Sequence, residues 1–180
     1  MSDVLLEKVK YHLEPSKMLF MVNGHDSIQP MLFVEKDGEQ PIITVLEQAQ
    51  TGSLYEAVQE RLGQLPYVPD TVILISDSFY LTNPDEEYIE SIKRGTNHSL
   101  GTMFALGDLR VKEAINITLM CPEAMITLNQ PYKWTPSDGW EWDDIDILDS
   151  RESKNGSDWN FNDLINNRPR RPIEEILEDK

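Results

Sequence analysis

Cysteine is almost missing from this chain: Cys121 stands alone among 180 residues. One thiol closes no intramolecular disulfide and anchors no cysteine-based zinc site. Histidine is equally sparse, with only His12, His25 and His98, and none has a second His or Cys at metal-ligand spacing. Positive charge is also in deficit. Lys and Arg total 16 against 32 Asp and Glu, a net charge of −16. Phosphate backbones and anionic lipid surfaces are held by Lys and Arg, so direct nucleic-acid binding is disfavoured. Long apolar runs are lacking too. MLFMV and VILI fall far short of the ~20 residues a membrane helix needs. The opening MSDVLL carries no basic start and no apolar core, so no export signal is read. These absences together lead us to expect a reducing, cytoplasmic setting and no membrane. The sequons at Asn97, Asn116 and Asn155 are then read as chance matches.

Nucleotide-binding loops are missing as well. Gly95, Gly101 and Gly107 recur every six residues, but no Lys-Ser or Lys-Thr pair follows, and no G-x-G opens a helix. The acidic run Asp143-Asp144-Ile145-Asp146 lacks the alternate oxygen ligands, mid-loop glycine and terminal glutamate of a calcium loop. No cofactor and no resident metal are expected.

What is present reads as helices and strands in blocks. SDVLLEKVKYHL has Ser2 as a candidate N-cap and an apolar stripe of Leu5, Leu6, Val9 and Leu13, and Pro15 is expected to end that helix. Residues 18–22 and 31–34 read as strands, and Asp37-Gly38 as the tight turn of an antiparallel hairpin. Ser53 and Glu56 have the spacing of a capping box before the apolar face Leu54, Ala57, Val58, Leu62 and Leu65. TVILISDSFYL is expected to be a central strand, because its first half is apolar on both faces. Pro84 followed by Asp85, Glu86 and Glu87 marks a short helix start. Residues 102–106 read as a strand before a turn at Gly107-Asp108. Residues 114–120 and 124–128 form a hairpin about Cys121-Pro122-Glu123. This order predicts an α+β fold: a mostly antiparallel sheet of five to seven strands with two main helices on one face, plus an irregular acidic C-terminal extension.

Composition changes after Gln130. All four tryptophans, Trp134, Trp140, Trp142 and Trp159, follow it. Residues 136–180 hold 13 acids against 6 bases, so acidity is shared with the rest of the chain. We therefore divide the chain into a compact domain, residues 1–133, and an acidic aromatic extension, residues 134–180. The extension is expected to be partly docked on its own domain and flexible after residue 150. Within it, GWEWDDIDILDS fits neither period, because alternation breaks at Asp143-Asp144. The basic island Arg168-Pro169-Arg170-Arg171 is the one cluster of that sign.

Candidate chemistry is thin. Asp77 ends the best strand, the position where a site often lies in α/β proteins. Asp26 and Asp108 also fall near strand ends, so the three together would make a divalent-metal site if they converge. Ser76 and Ser78 lack a nucleophile elbow, and the neighbours of Cys121 raise a thiol pKa. The leading expectation is a non-catalytic, acidic interaction or regulatory protein that binds another protein through its C-terminal extension or sheet surface. Trp140, Trp142, Trp159, Phe161, Leu164 and Ile165 are the candidate anchors. The alternative is a small hydrolase using Asp77, Asp26 and Asp108 with a divalent ion. Homo-oligomerisation is left open.

Overall fold

The computed structural model describes residues 3–23, 29–46, 54–82, 84–96, 98–151 and 161–166. Seven strands form one antiparallel sheet: β1 Met31–Glu35, β2 Ile42–Val45, β3 Thr71–Leu81, β4 Val111–Met120, β5 Met125–Thr135, β6 Gly139–Trp142 and β7 Asp146–Asp149. Their order is β2-β1-β3-β4-β5-β6, and β7 shares the β5 edge with β6. Six helices lie among the described residues: α1 Val4–Tyr11, α2 Leu13–Asn23, α3 Leu54–Gly63, α4 Glu86–Arg94, α5 Leu100–Ala105 and α6 Phe161–Asn166. The chain is thus α+β. No helix among the described residues is long and apolar enough to cross a membrane.

Alternation along the strands builds two cores. Ile73 and Ile75 of β3, Ile115, Ile117 and Leu119 of β4, and Ile126 and Leu128 of β5 share one face with Val9 of α1 and Phe20 of α2. The intervening residues Val72, Leu74 and Met120 face the other side. There they pack with Leu32 and Val34 of β1, Val58 and Leu62 of α3, and Phe161 and Leu164 of α6. Helices therefore cover both faces, where the sequence led us to expect one. The reason lies in β1 and β3, whose apolar residues occupy both parities and so need partners on each side.

The amino-terminal helix differs from expectation in two ways. Its described cap is Asp3, whose carboxylate accepts from the Leu5 and Leu6 amides at 3.1 and 3.2 Å; Ser2 lies outside the described residues. Pro15 does not end the helical region. It sits in the first turn of α2, where its missing N–H leaves no helical bond unmade. The apolar run at residues 18–22 is accordingly helical. It drives only Phe20 into the core, at 1% exposure, and leaves Met18 and Val22 outside. Residues 102–105 are helical as well, in α5, with Leu106 as the C-cap, because the Ser99 hydroxyl accepts from the Thr102 amide at 3.1 Å and starts a turn. A Cβ on Gly101 would lie 3.2 Å from the Phe79 ring, so the missing side chain lets α5 approach β3.

The expected turns hold. Gly38 has φ +78° between β1 and β2, and the Asp37 amide donates to Asp70 at 2.8 Å. The Cys121 amide closes the β4–β5 turn on the Ala124 carbonyl at 3.0 Å. Ser53 of the expected capping box lies outside the described residues.

The compositional change near residue 130 does not interrupt the sheet. β5 runs through it to Thr135, and residues 139–149 add a broken edge strand. Tyr132 pairs with Trp142 and Asn129 with Asp146, so Gln130 and Pro131 face three residues, Asp143, Asp144 and Ile145. One extra residue is a β-bulge, and it reverses side-chain parity. Trp140 and Trp142 before it and Ile147 after it thereby reach the same core. The break in alternation at Asp143-Asp144 is this bulge. Its chemistry is set by Pro131, which has no N–H to give the edge strand. The Asp143 amide donates to the Pro131 carbonyl at 3.0 Å, and the buried Gln130 carboxamide donates to the Asp143 carbonyl at 2.6 Å in place of the missing donor.

The tryptophans of this strand are packed on their own domain. Trp140 and Trp142 stack at 5.4 Å between centroids, Tyr132 lies 5.3 Å from Trp140, and the Lys17 ammonium stands 4.7 Å over Trp142. Farther on, Phe161 and Leu164 are 8% and 0% exposed in the second core, with Ile165 packed beside them. Truncating Leu164 to Ala should therefore destabilise the full chain by ~2–5 kcal/mol through cavity formation. A urea unfolding curve unchanged by that substitution would mean that α6 contributes nothing to the fold.

Candidate functional site

Two cross-strand rows define the most distinctive surface of the sheet. In the first, Ser76 of β3 pairs with Asn116 of β4, which pairs with Asn129 of β5. In the second, Leu74 pairs with Thr118, Thr118 with Thr127, and Thr127 with Leu148 of β7. Both rows lie on the α3 face, beyond the apolar core that α3 and α6 cover. On the opposite face the same strands carry Ile75, Ile117, Leu128 and Ile147, all apolar. One run such as INITLM therefore supplies a core with its isoleucines and a polar surface with its Asn and Thr.

The rows floor a groove of about 370 Å³, bordered by Leu54, Leu74, Met125 and Leu148. Ser78 completes its polar lining. The Asn116 amide donates to the Asn129 carbonyl oxygen at 2.9 Å. The Thr118 hydroxyl lies 2.9 Å from Asn116 Oδ1 and 3.1 Å from the Thr127 hydroxyl. Capacity is left over. The Ser76 hydroxyl and the Asn129 amide nitrogen have no hydrogen-bond partner among the described residues, although both residues are only 5% exposed. Neither atom is among the fully buried unpartnered ones, which are Arg61 Nε and the Tyr67 hydroxyl among the described residues, so both face solvent and are suited to exchange water for a ligand. No described lining residue is ionisable, in a chain with 27% charged residues.

Asp77 and Asp108 are not brought together, and Asp77 lies within β3 Thr71–Leu81, not at its end as the sequence led us to expect. Asp77 lies on the opposite face from the groove, half-buried, where it accepts from the Tyr132 hydroxyl at 2.9 Å. Burial holds the Asp77 carboxyl above its ordinary pKa, against the opposing pull of the Tyr132 hydrogen bond. Burial and the nearby carboxylates push the Tyr132 phenol far upward, so it stays a donor. Asp108 instead accepts from Arg110 Nε and Nη2 at 3.1 and 2.9 Å, and these bonds lower its pKa to about 2. Arg110 also donates to Asp85 at 2.6 Å, fastening α4 beside a second cavity of about 320 Å³ with Tyr88, His98 and Met103 on its wall. Asp26 lies outside the described residues. Among the described residues no three His, Cys, Asp or Glu side chains are grouped to hold a metal ion.

Of the anchors expected in the extension, Trp140, Trp142, Phe161, Leu164 and Ile165 sit in the two cores described above. Trp159 lies outside the described residues. Two of the acids near the bulge are engaged: Lys112 pairs with Asp143, and the Tyr80 hydroxyl donates to Asp146 at 2.6 Å. Burial, with Asp146 adding to it, pushes the Tyr80 phenol up to about 12. The groove was not singled out from sequence. Its signal was available in the alternation of Asn116, Thr118, Thr127 and Asn129 against buried aliphatics, a pattern that also describes any solvated sheet face.

The raised pKa of Asp77 has a stability consequence. A carboxyl whose folded pKa exceeds its unfolded value contributes stability while protonated, below the unfolded value of about 3.9. That contribution is lost as pH rises through the folded pKa. The ionised form is therefore penalised at neutral pH. Asp77→Asn should have a higher urea midpoint than the parent at pH 7, with the gap closing as the pH falls below the ordinary aspartate range. A lower midpoint at pH 7 would show that the charged hydrogen bond to Tyr132 outweighs burial. No family model, no curated protein and no solved structure matches this chain.

Proposed function

We propose that this protein is a non-catalytic binding protein whose recognition surface is the open, uncharged part of the sheet's second face. One observation carries the reading: Ser76 and Asn129 are 5% exposed, line a groove and retain unused hydrogen-bonding capacity. Side chains in that state favour an incoming polar group over a bare apolar one. The surrounding field adds selectivity. A net charge of −16 repels anions, and a groove without ionisable groups gives a cation no counter-charge.

The C-terminal extension is the competing surface, and magnitudes decide between them. Among its described residues Trp140, Trp142, Phe161, Leu164 and Ile165 pack in or against the domain's own cores, so a partner that seized them would first have to undock them. Exposing a buried side chain of that size costs ~1.5–3 kcal/mol. Among the described residues nothing covers the groove, which requires no such step. Asp77 and Asp108 favour neither surface, since each is bound to a separate partner.

The test is a screen of the full-length, ¹⁵N-labelled chain against small uncharged organic fragments. Hits are expected to move the amide resonances of Ser76, Asn116, Thr118, Thr127 and Asn129 together. Hits that gather instead around Asp85, His98 and Arg110, or that share no common surface, would contradict the assignment.

A further inference from the structure

We infer that the groove takes a neutral, polyhydroxylated ligand of mono- or disaccharide size. The inference rests on the groove's being the recognition surface and adds the chemistry of what it recognises.

Size comes first. A groove of about 370 Å³ falls at the small end of ligand sites, roughly 300–1,000 Å³. Charge comes next. The described lining has no ionisable residue to neutralise a phosphate, a carboxylate or an ammonium, and desolvating an unpaired ion is expensive. The ligand class is therefore neutral.

Hydrogen-bond character narrows it further. The floor holds four hydroxyls, on Ser76, Ser78, Thr118 and Thr127, and two carboxamides, on Asn116 and Asn129. Hydroxyls donate and accept with equal ease, and a carboxamide presents both functions side by side. A ligand hydroxyl has the same dual character, so each can bond in either sense. The Thr127–Thr118–Asn116–Asn129 network is already ordered and ends on the Asn129 amide nitrogen, which remains as a donor. Ser76 stands in the same cross-strand row with an unused hydroxyl. Neighbouring strands are ~4.8 Å apart, so the row from Ser76 through Asn116 to Asn129 spans about 10 Å, enough for polar groups spread along a ring or two.

Two further features weigh against other neutral ligands. No aromatic side chain is among the described lining residues, which therefore offer no stacking platform of the kind by which proteins hold flat bases. Along the floor β4 and β5 are paired on both edges, so a peptide has no free backbone ladder to join on those two strands, whereas β3 beyond Ile75 pairs with β4 alone among the described residues. What borders the floor is aliphatic: Leu54, Leu74, Met125 and Leu148. These side chains suit the C–H faces of a saccharide whose hydroxyls point at the floor.

The experiment uses the full-length ¹⁵N-labelled chain with maltose, N,N′-diacetylchitobiose and glucuronate, and with adenosine and acetamide as neutral non-saccharides. Saturable shifts at the Ser76, Asn116, Thr118 and Asn129 amides with at least one neutral saccharide, and none there with glucuronate, are the expected result. Ser76→Ala removes a hydroxyl that holds nothing in the fold. It should keep the parent's spectrum and weaken saccharide binding by about tenfold, in line with one lost hydrogen bond. Asn129→Leu should abolish binding. Shifts at these amides with adenosine or acetamide but with neither neutral saccharide would overturn the ligand class while leaving the groove as the recognition surface. Silence at these amides with every probe would overturn both. Saccharide affinity unaltered by Ser76→Ala would place the ligand elsewhere.

Discussion

The register of β3, β4 and β5 is the constraint from which the other features follow. Ile75, Ile117 and Leu128 line up across the three strands, and so do Ser76, Asn116 and Asn129 one residue along. Side-chain period in a strand is two, so a slip of one residue would exchange the rows. It would place carboxamides under Val9 and Phe20 and isoleucines in the groove. The hydrophobic penalty for that exchange, ~1.5–3 kcal/mol for each large side chain brought into water, fixes the register. The polar rows are carried to the opposite face as a consequence.

The edge of the sheet obeys the same logic with one correction built in. Pro131 lies in β5 where β6 would continue its ladder, and it cannot donate. The extra residue at positions 143–145 and the Gln130 carboxamide together supply the missing bond. The resulting change of parity sends Trp140, Trp142 and Ile147 into one core. Aromatic stacking of ~0.5–1.5 kcal/mol per pair beyond burial and the Lys17 ammonium over Trp142 then hold the acidic edge down on α2. Carboxylates crowd this edge, yet Asp143 and Asp146 are tied to Lys112 and Tyr80, and their charge serves the surface of the fold.

Much of the sheet was legible in the sequence because its signals are local. Asp37-Gly38 supplies a positive-φ turn, Cys121-Pro122-Glu123 a hairpin, and VILI a strand with apolar residues at both parities. The misreadings have equally physical causes. MLFMV at residues 18–22 has no helical period of its own; its helix follows from Leu13 and Phe20 docking beside α1, a tertiary effect. Thr102 to Ala105 gain their helix from the Ser99 cap and from the absence of a side chain at Gly101. The bulge at residues 143–145 hides a strand from any period-two reading, since the pairing that defines it lies with Gln130 and Pro131. The groove was the least legible feature. How much of the second face is left uncovered depends on where α3 and α6 end, and that is not written in the strands that floor it.

A polar network retained for binding differs in stability from one retained for folding. Replacing both partners of a buried hydrogen bond with apolar side chains of similar shape is often neutral or stabilising, and sites kept for function commonly trade stability for it. The most direct measurement is therefore the urea midpoint of the Asn116→Leu/Asn129→Leu double variant, in which Thr118 keeps its partner Thr127. The account predicts a midpoint equal to or above that of the parent. A midpoint well below it, with the fold otherwise two-state, would show that the row is structural and that the groove is a by-product of packing.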